Sequence, residues 1–245
     1  LSTNKKYTQI LTYDKLEKLK KNEFTKEGYL FTGWENGNKV YSDEQKVINL
    51  AKDTFNPVTL YAQWTPINYS IKYDSNSGTG TMDNQNFTYD VESKLNDNKF
   101  TRNGYKFASW NTKADGTGVS YDNQDIIYNL SSKDKDTVIL YAQWTPINYS
   151  IKFDSNNGTG TMNDQTLTYD KEAKLNKNLL SRDGYIFTNW NTKADGTGIS
   201  YSDEQNVINL TTNDNDIITL YAIWQESGYI IKYDSNGASG NMNNQ

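Results

Sequence analysis

The side chains in this sequence that could do chemistry are acidic and aromatic. Asp134 and Asp136, and again Asp214 and Asp216, put two carboxylates two residues apart just ahead of an apolar run. Paired carboxylates are the working groups of glycoside hydrolysis, one as acid and one as base or nucleophile. These pairs stand in polar stretches that imply no cleft, so the spacing suits a charged, solvated loop better than catalysis. Asp154-Ser155-Asn156-Asn157-Gly158, with counterparts beginning at Asp74 and Asp234, supplies oxygen ligands of the kind a calcium loop uses. It lacks the alternating carboxylate positions and the bidentate Glu of an EF-hand, so a hairpin turn is the expectation. Six tryptophans offer ring faces, either for stacking on sugars or for filling a core. Histidine and cysteine are absent, which removes the commonest general base, thiolate chemistry and disulfides. No catalytic, cofactor-binding, metal-binding or ligand-binding residue is singled out, no cofactor is implied, and the chain reads as a non-enzyme.

The elements that position these residues recur at an interval of about 80 residues. Thr65-Pro66-Ile67-Asn68-Tyr69-Ser70-Ile71-Lys72 returns unchanged at Thr145 to Lys152. Leu60-Tyr61-Ala62-Gln63-Trp64 returns at Leu140 to Trp144 and, with Ile223 for Gln, at Leu220 to Trp224. Segments 65–144 and 145–224 are complete copies, about 60% identical. Residues 1–64 match the later part of a copy, a unit lacking its first strand. Residues 225–245 match the first strand and turn of a further unit, and Leu1 in place of Met reads as a segment of a longer chain. Aromatic content of 13% against 35% hydrophobic residues describes a folded, polar-surfaced protein and not a disordered one. A net charge of −5 with interspersed signs leaves no basic footprint for nucleic acid. No apolar run is long enough for membrane insertion as a helix.

Within the copy that starts at Thr65, Tyr69, Ile71 and Tyr73 alternate with polar residues, the pattern of a half-buried strand. Asp74 to Gly80 is dense in turn formers, and a second strand through Phe87 and Tyr89 closes a hairpin. Asp90 then occupies an N-cap position, and Val91 with Leu95 gives an apolar i, i+4 pair. In the first copy Asp14 and Glu17 have capping-box spacing, Leu16 and Leu19 share a face, and the lysines from Lys15 to Lys21 form its solvated side. A short helix is therefore expected here. Gly104-Tyr105-Lys106-Phe107 opens a third strand with a bulge before Trp110, and Asn111 to Gly118 forms a polar loop. The last strand places Val138, Leu140, Ala142 and Trp144 on one face. The order β-β-α-β-β predicts an α+β class, one short helix packed on one mixed sheet per unit. The tryptophans fall at two equivalent places, Trp34, Trp110, Trp190 and Trp64, Trp144, Trp224, where a small module needs large buried rings.

Gly-Tyr-x-Phe-x-x-Trp (Gly28 to Trp34, Gly104 to Trp110, Gly184 to Trp190), closing with Leu-Tyr-Ala-x-Trp, resembles the Listeria–Bacteroides repeat, the B-repeat type of internalin B. The resemblance covers essentially the whole chain. It implies compact β-grasp-like (ubiquitin-like) modules in extracellular, cell-surface proteins of bacteria. There such repeats join a ligand-binding region to a cell-wall anchor and take part in adhesion. It brings no catalytic residues.

The leading functional expectation is an extended spacer or stalk segment with adhesive surfaces, engaging host or cell-wall macromolecules through its parent protein. The alternative is a carbohydrate-binding array using exposed Trp and Tyr platforms, and the solvent exposure of the six tryptophans separates the two. Pro66 stiffens the short stretch between Trp64 and Tyr69, so three modules of about 30 Å in line would measure roughly 90 Å. Unit one lacks a strand that the end of the chain carries, so head-to-tail self-association of the fragment by strand addition is expected.

Overall fold

The structure, a computed structural model, describes residues 5–240 and 242. The outermost residues of the first and last expected segments (1–4, 241 and 243–245) lie outside the described residues. The chain divides into two compact units, Leu1–Arg102 with Phe107–Trp144, and Asn103–Lys106 with Thr145–Gln245.

The second repeat forms a five-stranded sheet in the order Ser120–Tyr121, Tyr105–Asn111, Thr137–Pro146, Asn68–Asp74, Gln85–Thr88. Its hairpin is antiparallel, with Asn68 opposite Thr88 and Ile71 opposite Gln85. The long last strand runs parallel to the first, Thr137 opposite Ser70 through Tyr141 opposite Asp74. The first strand is thus central, hydrogen-bonded on both sides, and its alternation turns Tyr69, Ile71 and Tyr73 into the core. Phe87, Trp110, Leu140 and Ala142 join them from neighbouring strands, and Leu95, Phe100 and Ile127 cover the same face from outside the sheet.

In the second unit the third repeat has the same sheet, in the order Gln165–Thr168, Asn148–Asp154, Ile217–Glu226, Tyr185–Asn191, Ser200–Tyr201. Its register shifts between Phe187 and Asn189, the bulge expected before the tryptophan, and that bulge recurs between Phe31 and Gly33. The first repeat keeps three strands in the order Lys39–Tyr41, Tyr29–Asn36, Tyr61–Pro66.

The expected α+β class is overturned: the described residues contain no helix, and every repeat is all-β with more than one sheet. The β-grasp-like expectation falls with the helix. The expected helix is a turn followed by a two-residue strand, Ser93–Lys94, paired with Ile126–Ile127 in a small antiparallel ribbon. Glu17–Lys18 with Lys46–Val47 and Ala173–Lys174 with Asn206–Val207 make the same ribbon.

The physical reason starts at the presumed cap. Asp14, Asp90 and Asp170 all have φ near +60°, whereas an N-cap residue is extended. The turn closes with Val91 N–H on the Thr88 carbonyl, and the Glu17 carboxylate accepts the Thr12 N–H from outside any helix. Leu19 is buried while Leu16 is exposed, so the two do not share a face. A segment this short cannot meet the cost of nucleating a helix, and a ribbon that buries Leu95 against the sheet serves it better.

Candidate functional site: a tyrosine–aspartate joint

Two dipeptides recur in every repeat: Gly-Tyr at 28, 104 and 184, and Tyr-Asp at 13, 89 and 169. They lie far apart within a repeat, yet the fold brings the Gly-Tyr of one repeat onto the Tyr-Asp of the next.

In the first unit, Gly28 has φ +73°, a conformation glycine adopts without strain. It lies buried under Tyr89, close enough that a Cβ would fall 2.3 Å from the ring. Its carbonyl accepts the Ile67 N–H at 2.9 Å, and the Ile67 carbonyl accepts the Tyr89 N–H at 3.0 Å. Ile67, the lone residue between strands Tyr61–Pro66 and Asn68–Asp74, is 2% exposed. The Tyr29 ring meets Tyr89 edge to face at 5.9 Å, and its hydroxyl donates to Asp90 Oδ2 at 2.6 Å. The other carboxylate oxygen accepts the Tyr128 hydroxyl and the Asn129 amide, both at 2.8 Å. Asn129 Oδ1 in turn accepts the Asp90 N–H at 2.7 Å.

These donors hold the Asp90 carboxyl below its usual range, Tyr29 first, then Asn129 and Tyr128. The same carboxylate, with some desolvation, raises the Tyr29 phenol. Charge-assisted bonds of this kind are stronger than neutral ones.

The second unit contains the same device. Gly104 is buried under Tyr169, Ile147 N–H bonds its carbonyl at 3.0 Å, Tyr105 packs on Tyr169 at 5.7 Å, and the Tyr105 hydroxyl donates to Asp170. Asn209 brackets Asp170 as Asn129 brackets Asp90. Lys106 adds an ion pair to Asp214 at 3.0 Å, which lowers the Asp214 carboxyl.

The residues weighed for chemistry serve as braces instead. Asp154 Oδ1 accepts the Asn156 N–H, Asn156 and Asn157 have positive φ, and Gly158 N–H closes the turn on Ser155. Asp74 and Asp234 make the same bond to Asn76 and Asn236. Asp136 accepts the Ser131 hydroxyl and Asp216 that of Thr211. No group of three or more acidic, His or Cys residues among those described could hold a metal ion. Two hollows of about 280 and 420 Å³ contain one carboxylate each, Asp74 in one and Asp136 in the other, so neither assembles an acid–base pair.

None of the six tryptophans is exposed: Trp110 and Trp190 are fully buried and the others half-buried. The Trp144 and Trp224 indoles donate to Ser75 and Ser155 carbonyls, pinning the turn after the first strand. Asn111 and Asn191, fully buried, organise the polar loop after the third strand. Sequence reasoning passed over the joint; the recurrence of Tyr-Asp and Gly-Tyr was its only linear signal.

The family model of the Listeria-Bacteroides repeat domain matches residues 2–63, 69–143 and 149–223. The chain belongs to the Listeria-Bacteroides repeat family. This is a repeat family of bacterial surface proteins. Two proteins of Evansella cellulosilytica match part of this chain, one named a Gly-rich membrane protein and the other a membrane protein. They are 35% and 36% identical over 57% and 51% of this chain, but the matches span only 16% and 18% of those proteins. A type 2 repeat of the mucus binding protein MUB from Lactobacillus reuteri covers 66% of this chain and all of its own length, at 12% identity and a TM-score of 0.16. Similarity that low transfers neither fold nor function. No helix among the described residues is long and apolar enough to cross a membrane.

Proposed function

We propose that this chain is a non-catalytic spacer segment of a bacterial cell-surface protein, built of repeat units 1–64, 65–144 and 145–224 and the opening of another at 225–245. The observation that carries this reading is the joint. A buried glycine, an interlocked tyrosine pair and a four-point aspartate hold one repeat's end against the next, with a single residue between their strands. Such a connection spends residues on keeping neighbours in one orientation, which is what a spacer needs and an enzyme does not. Family membership supports a surface location and a role that presents other regions to host or cell-wall macromolecules. The tryptophans, placed for packing, speak against a sugar-stacking array.

Small-angle scattering tests the proposal. An elongated particle with the maximum dimension expected of three modules in line supports it, and a compact particle, or units that tumble independently, overturns it.

A further inference from the structure

In each complete repeat the strands by which the chain enters and leaves lie side by side and parallel. Thr137 stands opposite Ser70 and Tyr141 opposite Asp74 in the second repeat, and Ser150 to Asp154 stand against Ile217 to Tyr221 in the third. Further bonds lengthen this attachment at both ends. At the start, Lys135 N–H bonds the Asn68 carbonyl at 2.7 Å and Ser70 N–H bonds the Asp136 carbonyl at 2.9 Å. At the far end, the Asn76 side-chain amide donates to the Ala142 carbonyl and the Trp144 indole to the Ser75 carbonyl, both at 2.9 Å. The third repeat makes the same four ties, Asn215 on Asn148, Ser150 on Asp216, Asn156 on Ala222 and Trp224 on Ser155.

Tension along the chain pulls the first strand toward its N-terminal end and the last strand toward its C-terminal end. In a parallel pair those directions are opposite, so the two strands must slide past one another lengthwise. Ladder bonds run across the strands, so sliding loads them all together, whereas separation from one end breaks them in turn. The hairpin strand Gln85–Thr88, the ribbon and Tyr105–Asn111 lie off this path, because the ladder carries tension directly from Asn68–Asp74 to Thr137–Pro146. On the covered face of the pair, Tyr69, Ile71, Tyr73, Leu140 and Ala142 are at most 4% exposed, which keeps water from competing for the loaded bonds. Ile67, just ahead of the first strand, is bonded through both its N–H and its carbonyl, so that end of the strand cannot swing round and be peeled sideways.

We propose that each complete repeat is a mechanical clamp, a module through which this segment carries tension along its length without unfolding. This role rests on the spacer reading, in which the segment links a cell surface to what the parent protein engages, and adds strength to reach. Elongation and strength are separate properties, so scattering can uphold the spacer while pulling rejects the clamp.

The full chain has no cysteine, so pairs of introduced thiols fix the points of pulling. Thr65→Cys with Thr145→Cys loads the second repeat in the sliding direction. Thr65→Cys with Ser132→Cys pulls the same two strands apart from the end they share. All three positions are exposed. Single-molecule force spectroscopy reads the unfolding barrier in each geometry. At one loading rate the first pair should give a force peak about threefold or more above the second, because several hydrogen bonds share the load in one case and each bears it in turn in the other. A length gain of roughly 240 Å, about 80 residues at 3.3–3.6 Å each less the folded span, identifies the sliding event as the unfolding of one repeat. Asn76→Ala removes a tie at the far end of the pair. It should lower the sliding peak and leave the peeling peak unchanged, since peeling begins at Asn68. Equal peaks in the two geometries, or an Asn76→Ala loss of the same size in both, overturn the proposal.

Discussion

The first and second repeats are a natural experiment in one molecule: nearly the same sequence pattern, with and without the opening strand. In the second repeat the last strand runs ten residues, Thr137–Pro146; in the first it runs six, Tyr61–Pro66. The hairpin partner, four residues of strand at Gln85–Thr88, has no strand counterpart at Gln9 to Thr12. Both losses fall on the segments that would flank the missing strand. Trp110 is fully buried and its ring meets that of Tyr73 at 4.8 Å in a tilted arrangement; Trp34, with no equivalent of Tyr73, is half-buried. Strand propensity in those flanking segments is therefore borrowed from the central strand, whose hydrogen bonds on both sides convert sequence pattern into structure. The ribbon survives in the first repeat because its partners, Glu17–Lys18 and Lys46–Val47, are both present.

The largest expected effect breaks this comparison at its centre. Trp110→Ala should destabilise the second repeat by about 3–5 kcal/mol, and Trp34→Ala should cost the first about half as much. Hydrogen exchange resolved by repeat would measure both, and equal losses would show that the central strand is not what buries the ring. Next comes a pair in matched sequence. Ile71→Ala should cost about 2–5 kcal/mol, while Ile231→Ala, at an exposed position, should change the stability of this chain by under about 0.5 kcal/mol.

A smaller effect separates the buried joint glycine from its exposed counterpart. Gly184→Ala meets only the positive-φ penalty, about 1 kcal/mol, whereas Gly104→Ala must also displace the Tyr169 ring and should cost about 1–3 kcal/mol more. Thermal unfolding of the two variants compares them directly.

The subtlest expectation concerns pH. The Asp90 carboxyl is lowered in the folded joint, so its contribution is fully present above the unfolded value near 3.8 and fades as pH falls through the lower folded value. The Tyr29 phenol is raised, so its contribution holds below the unfolded value near 10.0 and is lost as pH rises through the folded one. Protection of the Ile67 amide should follow both limits, and Asp90→Asn, which removes the carboxylate behind both shifts, should abolish the acid limit and bring the alkaline limit down.

Much of the repeat was legible from residue order. The alternation of Tyr69, Ile71 and Tyr73 identified the buried face, the Asp-Ser-Asn turn and the bulge before the tryptophan followed from local chemistry, and the apolar face of the last strand was correct at Leu140 and Ala142. All of these depend on neighbours within a few residues. The helix expectation failed because Asp-x-x-Glu with an apolar pair fits a capped turn of helix and a turn into a ribbon equally well. What separated them was Asn129, 39 residues beyond Asp90, and the ribbon partner Ile126–Ile127. The joint was invisible for the same reason: Tyr29 and Asp90 stand 61 residues apart. Sequence by itself determined the period, the faces and the turns, because those are set by backbone periodicity and short-range hydrogen bonding. Tertiary structure decided between helix and ribbon, and decided which tyrosine meets which aspartate, because those outcomes depend on partners that only folding brings within reach.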